Sequence, residues 1–332
     1  MSGAKQMKAM STVHELTQKI ATGKPLLLAG DERVLKQLPR GNWIAGTIPY
    51  FIGDEGGTFD RERVYVTELP SVCEKAKIQV YDKHSIETSY SDAADFGFSV
   101  IIIPAMSETH VSFALKAPQF PDFATRPMIG WISGVALDDL GKEIPKVFDG
   151  RTGTAYTDGA VVMHVSLPAD KSAEIATVNI FSQSAGDTLE FENDGFNFSR
   201  VLVNGERMAF ADYLKKSGLD VRLPLVADYY GVMINASFQA VDEKTGDVKF
   251  YAPLFKGIKY RHAAPFSDYV KQFESKLPKG DADQIAFSCN CILNYLYAEL
   301  EGKKTGRITG PITFGEIGYQ LLNQTMVYLK IS

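Results

Sequence analysis

Two of the chain's three cysteines stand one residue apart in Phe287-Ser-Cys-Asn-Cys-Ile-Leu-Asn-Tyr-Leu-Tyr-Ala-Glu-Leu-Glu-Gly302. Sulfur at that spacing can ligate a metal, form a disulfide, act as a nucleophile or simply pack. A structural zinc takes four Cys, His or carboxylate ligands. Cys289 and Cys291 supply two, and His262, in Tyr-Arg-His-Ala, brings no paired ligand. A disulfide between residues two apart is strained. A thiol at a helix N-terminus ionises more easily, which applies if a helix starts near Asn290. A nucleophile also needs a positioned base, and none of His14, His84, His110, His164 or His262 lies in a partner motif. Packing as a small hydrophobe is the commoner role of a buried free cysteine. The turn offers a further chemistry: a strand Ile285-Ala-Phe287 passing through Ser288-Cys-Asn-Cys into a helix would aim backbone N–H groups at an anion such as a ligand carboxylate. The plainer use of the same turn is a cap from Ser288 or Asn290.

Elsewhere the chemical motifs fail. The chain contains no G-x-x-x-x-G-K-[ST], no G-x-S-x-G and no H-E-x-x-H, and its glycine pairs lack dinucleotide-fold spacing. Asp138-Asp139 next to Gly141 reads as a solvated turn. His164, among the apolar residues of Val161-Val-Met-His-Val, is a candidate haem ligand, although a hydrogen-bonded strand histidine is the commoner case.

The elements that must position these groups are mostly strands. Runs rich in β-branched and aromatic residues, bounded by Gly, Pro or Asp, predict strands at residues 25–30, 43–51, 64–69, 78–81, 99–104, 128–134, 146–148 and 159–167. The second half continues them at 177–181, 188–191, 199–203 and 231–240, with hairpin turns at Asn204-Gly205 and around residues 242–247. Helical spacing marks residues 11–21, 209–217, 266–277 and 291–300, the last with Gly302 placed as its C-terminal cap. Three stretches repeat a strand, glycine pair, polar turn and β-rich return, but their irregular period excludes a solenoid. The expected fold is α+β: a β-rich, two-part protein with mostly antiparallel or mixed sheets and a few packed helices. Its expected divisions are an N-terminal extension over 1–24 and domains over 25–195 and 196–332.

Composition narrows the function classes. The chain has 332 residues, 45% apolar and 23% charged, as ordinary folded proteins do. Its 40 acidic residues outnumber 35 basic ones, for a net charge of −5, which disfavours binding to the phosphate backbone of nucleic acid. The first residues carry no apolar core of a secretory signal, and the run Val100-Ile-Ile-Ile-Pro-Ala-Met106 falls far short of the ~20 residues that cross a bilayer. Three cysteines, sparse and odd in number, suit a reducing compartment. The expectation is a cytoplasmic protein without membrane insertion or nucleic-acid partner.

The residues also resemble a known family. Ala286-Phe-Ser-Cys-Asn before a helix, Ile308-Thr-Gly-Pro-Ile-Thr-Phe-Gly-Glu-Ile-Gly318, and Leu322-Asn-Gln-Thr-Met-Val-Tyr-Leu are similar to the C-terminal half of FIST sensory proteins. There an "FSC" strand end precedes a helix, and a "GEI" segment precedes a closing strand with a threonine at its start. Leu202-Val-Asn-Gly-Glu-Arg-Met-Ala-Phe-Ala and Lys249-Phe-Tyr-Ala-Pro-Leu-Phe-Lys-Gly-Ile resemble upstream segments of that half. Asn42-Trp-Ile-Ala-Gly-Thr and Tyr156-Thr-Asp-Gly-Ala-Val-Val resemble its N-terminal region, so the likeness runs over about residues 25–332. Cys291 departs from the pattern, standing where the family commonly has an arginine suited to clamping an anion.

The resemblance implies a stand-alone sensory module, not an enzyme, that binds a small ligand such as an amino acid or small carboxylate and signals through a separate protein partner. It implies no obligatory cofactor, with haem-based nitric oxide sensing as the alternative and a cysteine-dependent enzyme behind that. The expected ligand-binding residues are Ser288, Cys289, Asn290, Cys291, Thr313, Gly315 and Glu316. In this reading the helix start faces the turn around Glu316, and a zwitterion meets N–H groups at one end and the Glu316 carboxylate at the other.

Overall fold

The apolar run around Val100 becomes the buried strand Gly97–Pro104. It pairs parallel with Met128–Ser133 and antiparallel with Ala160–Ser166. Such a strand reads as continuous hydrophobics because both of its faces are covered. The computed structural model describes residues 9–73, 75–229, 231–276 and 284–332. The fold is α+β, β-rich, with antiparallel or mixed sheets and short helices.

Two sheets position the candidate residues. In the first, Met128–Ser133 pairs with Glu316–Gly318, which turns back into Gln320–Leu322. In the second, the order is Ala173–Val178, Met326–Ile331, Ile285–Cys291, Gly310–Thr313, Tyr50–Gly53 and Gly56–Phe59. Strands from beyond residue 284 thus complete sheets whose other members come from the first 178 residues. The sheets meet face to face, where the rings of Trp131 and Phe287 stack with centroids 5.4 Å apart. Both side chains are almost wholly buried, each contributing roughly 2–3 kcal/mol from lost apolar surface. Gly130 lets the parallel strands come this close, since a Cβ there would lie 1.8 Å from the Ile101 carbonyl oxygen.

A third sheet holds Leu26–Gly30 and Trp43–Thr47 in parallel. It carries the helix Val13–Ile20, which starts at a reciprocal capping box between Thr12 and Glu15. Residues 189–262 form further sheets around a core of Phe191, Phe198, Phe210 and Phe250, closed by the helix Phe210–Ser217.

The predicted strands are largely present, with shifts that have local causes. Pro49 interrupts the first long run, giving Trp43–Thr47 and Tyr50–Gly53, and the 231–240 run divides into Val232–Ala236 and Phe238–Asp242. The strand expected at 177–181 is Ala173–Val178. Asn204 and Gly205 both take positive φ and join Arg200–Val203 to Glu206–Ala209, as that dipeptide requires. The helix at 266–277 is Tyr269–Lys276, and Leu277 lies outside the described residues, as do residues 1–8 of the N-terminal extension.

The C-terminal helix needs the largest correction. The strand runs through to Cys291, and the helix spans only Ile292–Tyr297. Glu299 turns the chain with φ 51°, and the Leu300 N–H returns to the Tyr295 carbonyl at 2.9 Å. Leu300 is drawn into the core from outside the helix. Gly302 is no cap; its N–H donates to Gly57 across the sheet edge.

Candidate functional site

Of the expected ligand-binding residues, Cys289, Asn290, Cys291, Thr313, Gly315 and Glu316 lie near one another where two sheets meet, with Cys291 as the N-cap of a short helix, whereas Ser288 faces away. Alternation along Ile285–Cys291 brings Cys289 toward the facing sheet, where its thiol donates to the Gly130 carbonyl at 3.4 Å. Ser288, on the other face, donates its hydroxyl to Thr309 at 2.7 Å. Asn290 accepts through Oδ1 from its neighbour's N–H, Cys291, at 2.8 Å and from Asn294 Nδ2 at 2.8 Å. The Cys291 N–H also points to the Thr325 carbonyl at 3.2 Å. The backbone donor expected to greet an anion is therefore already used, and six residues of helix behind it make a weak dipole.

Thr313 ties the neighbouring strand in place, its hydroxyl lying 3.3 Å from the Asn290 carbonyl and 3.1 Å from that of Gly315. Gly315 in turn accepts from the Ile132 N–H at 2.8 Å. That contact sets the register in which Glu316 sits opposite Trp131. Glu316 is wholly buried. One carboxyl oxygen, Oε2, accepts from the Thr325 N–H at 3.2 Å and from its hydroxyl at 2.8 Å. The other, Oε1, has no hydrogen-bond partner.

Glu316 is not alone in this. Tyr269 Oη, Asn290 Nδ2 and Asn294 Oδ1 are also buried without a partner. Tyr269 lies in the same neighbourhood: burial raises its pKa well above the usual range, Cys291 and Glu316 lie within electrostatic reach of its hydroxyl, and the Asn290 side chain lies beside it. Native interiors rarely leave polar atoms unpaired, because each costs roughly 1–3 kcal/mol in lost hydration. With Glu316 Oε1 these make four such atoms on neighbouring residues: an O–H and an N–H donor on Tyr269 and Asn290, and acceptors on Asn294 and Glu316.

Burial governs the protonation states. It raises the Glu316 pKa to about 8, against the opposing pull of the Thr325 hydrogen bonds and the Cys291 thiol. Glu316 is therefore mainly a neutral acid at pH 7. Burial also pushes both thiols well above their usual range, and the Glu316 charge adds to the rise. Cys289 and Cys291 stand as neutral thiols, poor nucleophiles in this state. Among the described residues, no group of three or more His, Cys, Asp or Glu converges as a metal site.

His164, the candidate haem ligand, has both ring nitrogens engaged: Nδ1 with Ser99 Oγ at 2.7 Å and Nε2 with Tyr81 Oη at 2.8 Å. Tyr81 gives its own proton to Asp92 at 2.9 Å, so the pattern fits a neutral ring that donates from Nε2 and accepts at Nδ1. Burial lowers its pKa to about 4.

A groove of about 890 Å³ opens where the Glu316–Gly318 strand ends, lined among others by Ile175, Thr177, Asn179, Val232, Lys276 and Tyr319. Asn179 joins it to the buried cluster. Its amide nitrogen lies 2.9 Å from Asn235 Oδ1, and Asn235 Nδ2 donates to the Asn323 carbonyl at 3.0 Å, two residues before Thr325.

Sequence reasoning did not single out Tyr269, Asn294 or Asn235. Asn294 carried a signal, four residues after Asn290 on a helical period, whereas Tyr269 and Asn235 reach the cluster only through tertiary packing. Among the described residues, no helix is long and apolar enough to cross a membrane.

A family described as one of unknown function, DUF6976, matches residues 11–332, and the chain belongs to that family. No curated protein matches the chain.

Proposed function

We propose that this DUF6976 protein is a cytoplasmic sensory module that binds a small zwitterion, an amino acid or a related small carboxylate, at the Glu316 cluster and passes the event to a protein partner. The supporting observation is the set of four buried, unpartnered polar atoms: Tyr269 Oη, Asn290 Nδ2, Asn294 Oδ1 and Glu316 Oε1. A carboxylate would satisfy the first two and an ammonium the last two. This moves the carboxylate contact expected of the helix N–H groups onto side chains, and it keeps Glu316 at the cationic end. The resemblance to FIST sensory proteins favours the same class of activity. A haem-based alternative would need an axial ligand other than His164, whose two nitrogens are both occupied.

A thermal-shift screen of amino acids and small carboxylates tests the reading. A ligand present at a hundred times its dissociation constant adds about 2.7 kcal/mol of stability. Glu316→Gln, which keeps the neutral shape but cannot ionise, should weaken binding of the zwitterion more than that of the corresponding carboxylate lacking the amine. If no compound shifts the melt, or if Glu316→Gln weakens both kinds of ligand equally, the reading fails.

A further inference from the structure

The strand Ala173–Val178 lies at the edge of its sheet, paired on one side only, with Met326–Ile331. Ser172 and Ser332 exchange both backbone hydrogen bonds, N–H to O at 3.0 and 3.1 Å. In an antiparallel ladder, bonded and non-bonded pairs alternate. From that anchor Glu174, Ala176 and Val178 bond the partner strand, while Ala173, Ile175 and Thr177 turn their N–H and C=O groups the other way. Ile175 and Thr177 line the groove, and among the described residues no hydrogen bond engages their outward backbone groups. Edge strands are ordinarily guarded by lysine, proline or a bulge. This one, Ala-Glu-Ile-Ala-Thr-Val, contains neither residue, carries a single charge at Glu174, and keeps its register unbroken over six pairs.

We propose that this edge takes an extended segment of a partner protein as an added strand, with a carboxylate of that segment against Lys276. Unpaired groups recurring every second residue, roughly 6.6 Å apart, match the repeat of another extended chain and not the span of one small molecule. The opposite wall supplies apolar contact through Val232 and Met233, and Val232 is 59% exposed. Lys276 is the only charged side chain among the described residues lining the groove, which selects an acidic group on the occupant, such as a chain terminus. Among the described residues, the groove meets the Glu316 cluster only through the Asn179–Asn235 link, and strand addition does not depend on a ligand at that cluster. It gives the fold a surface on which a partner can be held.

Hydrogen exchange at residue resolution tests this on the whole protein, with a pool of random-sequence heptapeptides carrying free carboxyl ends as the probe. Peptide should slow exchange at the Ile175 and Thr177 amides at least tenfold and leave Glu174 and Ala176, already bonded to the neighbouring strand, unchanged. The same pool with amidated ends should protect less, and Lys276→Gln should erase that difference. Three results would overturn the proposal: no added protection at millimolar peptide, equal protection by acetate alone, or protection that grows with protein concentration without peptide. The second would point to a small-molecule site, and the third to a second copy of this chain as the occupant.

Discussion

Thr325 gives both its N–H and its hydroxyl to a single oxygen of Glu316, at 3.2 and 2.8 Å, and leaves the other oxygen bare inside the protein. Two donors on one side favour the ionised acid, yet burial outweighs them and lifts the pKa from 4.5 to about 8. The carboxyl is held in place without being neutralised by a cation, so proton uptake does that work instead.

The first consequence is a stability that depends on pH. Glu316 has a folded pKa above its unfolded one, so its contribution is fully present below about pH 4.5 and is lost as pH rises through about 8. The loss approaches about 1.4 kcal/mol per pH unit across that window. Glu316→Gln should remove this slope and equal or exceed the parent in stability at pH 8. Urea unfolding at a series of pH values measures it, and a variant less stable than the parent at pH 8 would contradict the account.

Binding of an ammonium-bearing ligand should release a proton from Glu316. Its affinity then strengthens by up to about tenfold per unit as pH rises from 6 toward 8, and calorimetry in buffers of different ionisation enthalpy would detect the released proton. Affinity that is flat over this range would separate the ligand from Glu316.

The buried histidines act in the opposite direction. His164 and His110 both have pKa values lowered to about 4 by burial. Each folded value lies below the unfolded one, so the stability they preserve is present above about pH 6.5 and lost as pH falls toward 4. Each contributes a slope of up to about 1.4 kcal/mol per unit. His164→Gln should flatten the acid limb of the stability curve while lowering stability at pH 7, because Tyr81 and Ser99 lose a well-fitted partner.

All three thiols should resist alkylation in the native state. Cys73 is buried with its pKa raised to about 11, and Cys289 and Cys291 are buried with theirs higher than usual. Iodoacetamide labelling at pH 7.5 followed by mass spectrometry should show slow modification of each, accelerating together in urea. Fast labelling of Cys291 alone would revive a catalytic role for it.

Gly130→Ala should cost about 3 kcal/mol or more, since the new methyl must push against the backbone of the adjacent strand and not against a side chain that can rotate away. A fall of the melting temperature by several degrees checks it, and a silent substitution would mean the two strands can part at little cost.

Much of the molecule was legible in one dimension. Composition and alternation supplied the β-rich α+β class, because a strand's period of two and its turn residues are local facts: Asn204-Gly205 makes its hairpin and Thr12 with Glu15 caps its helix, as their chemistry requires. Segments around Cys289 and Glu316 also stood out, and they do meet. Other features had to wait for the tertiary structure. A helix pattern over 291–300 gave way after Tyr297 because burying Leu300 outweighed the propensity to continue the helix. Tyr269 and Asn290 are distant in sequence, and only the packing of the helix Tyr269–Lys276 against the strand Ile285–Cys291 brings them together. The character of Glu316 was least visible of all: a carboxylate reads as charged in any sequence, and it becomes a neutral acid only where packing withholds both water and a cation.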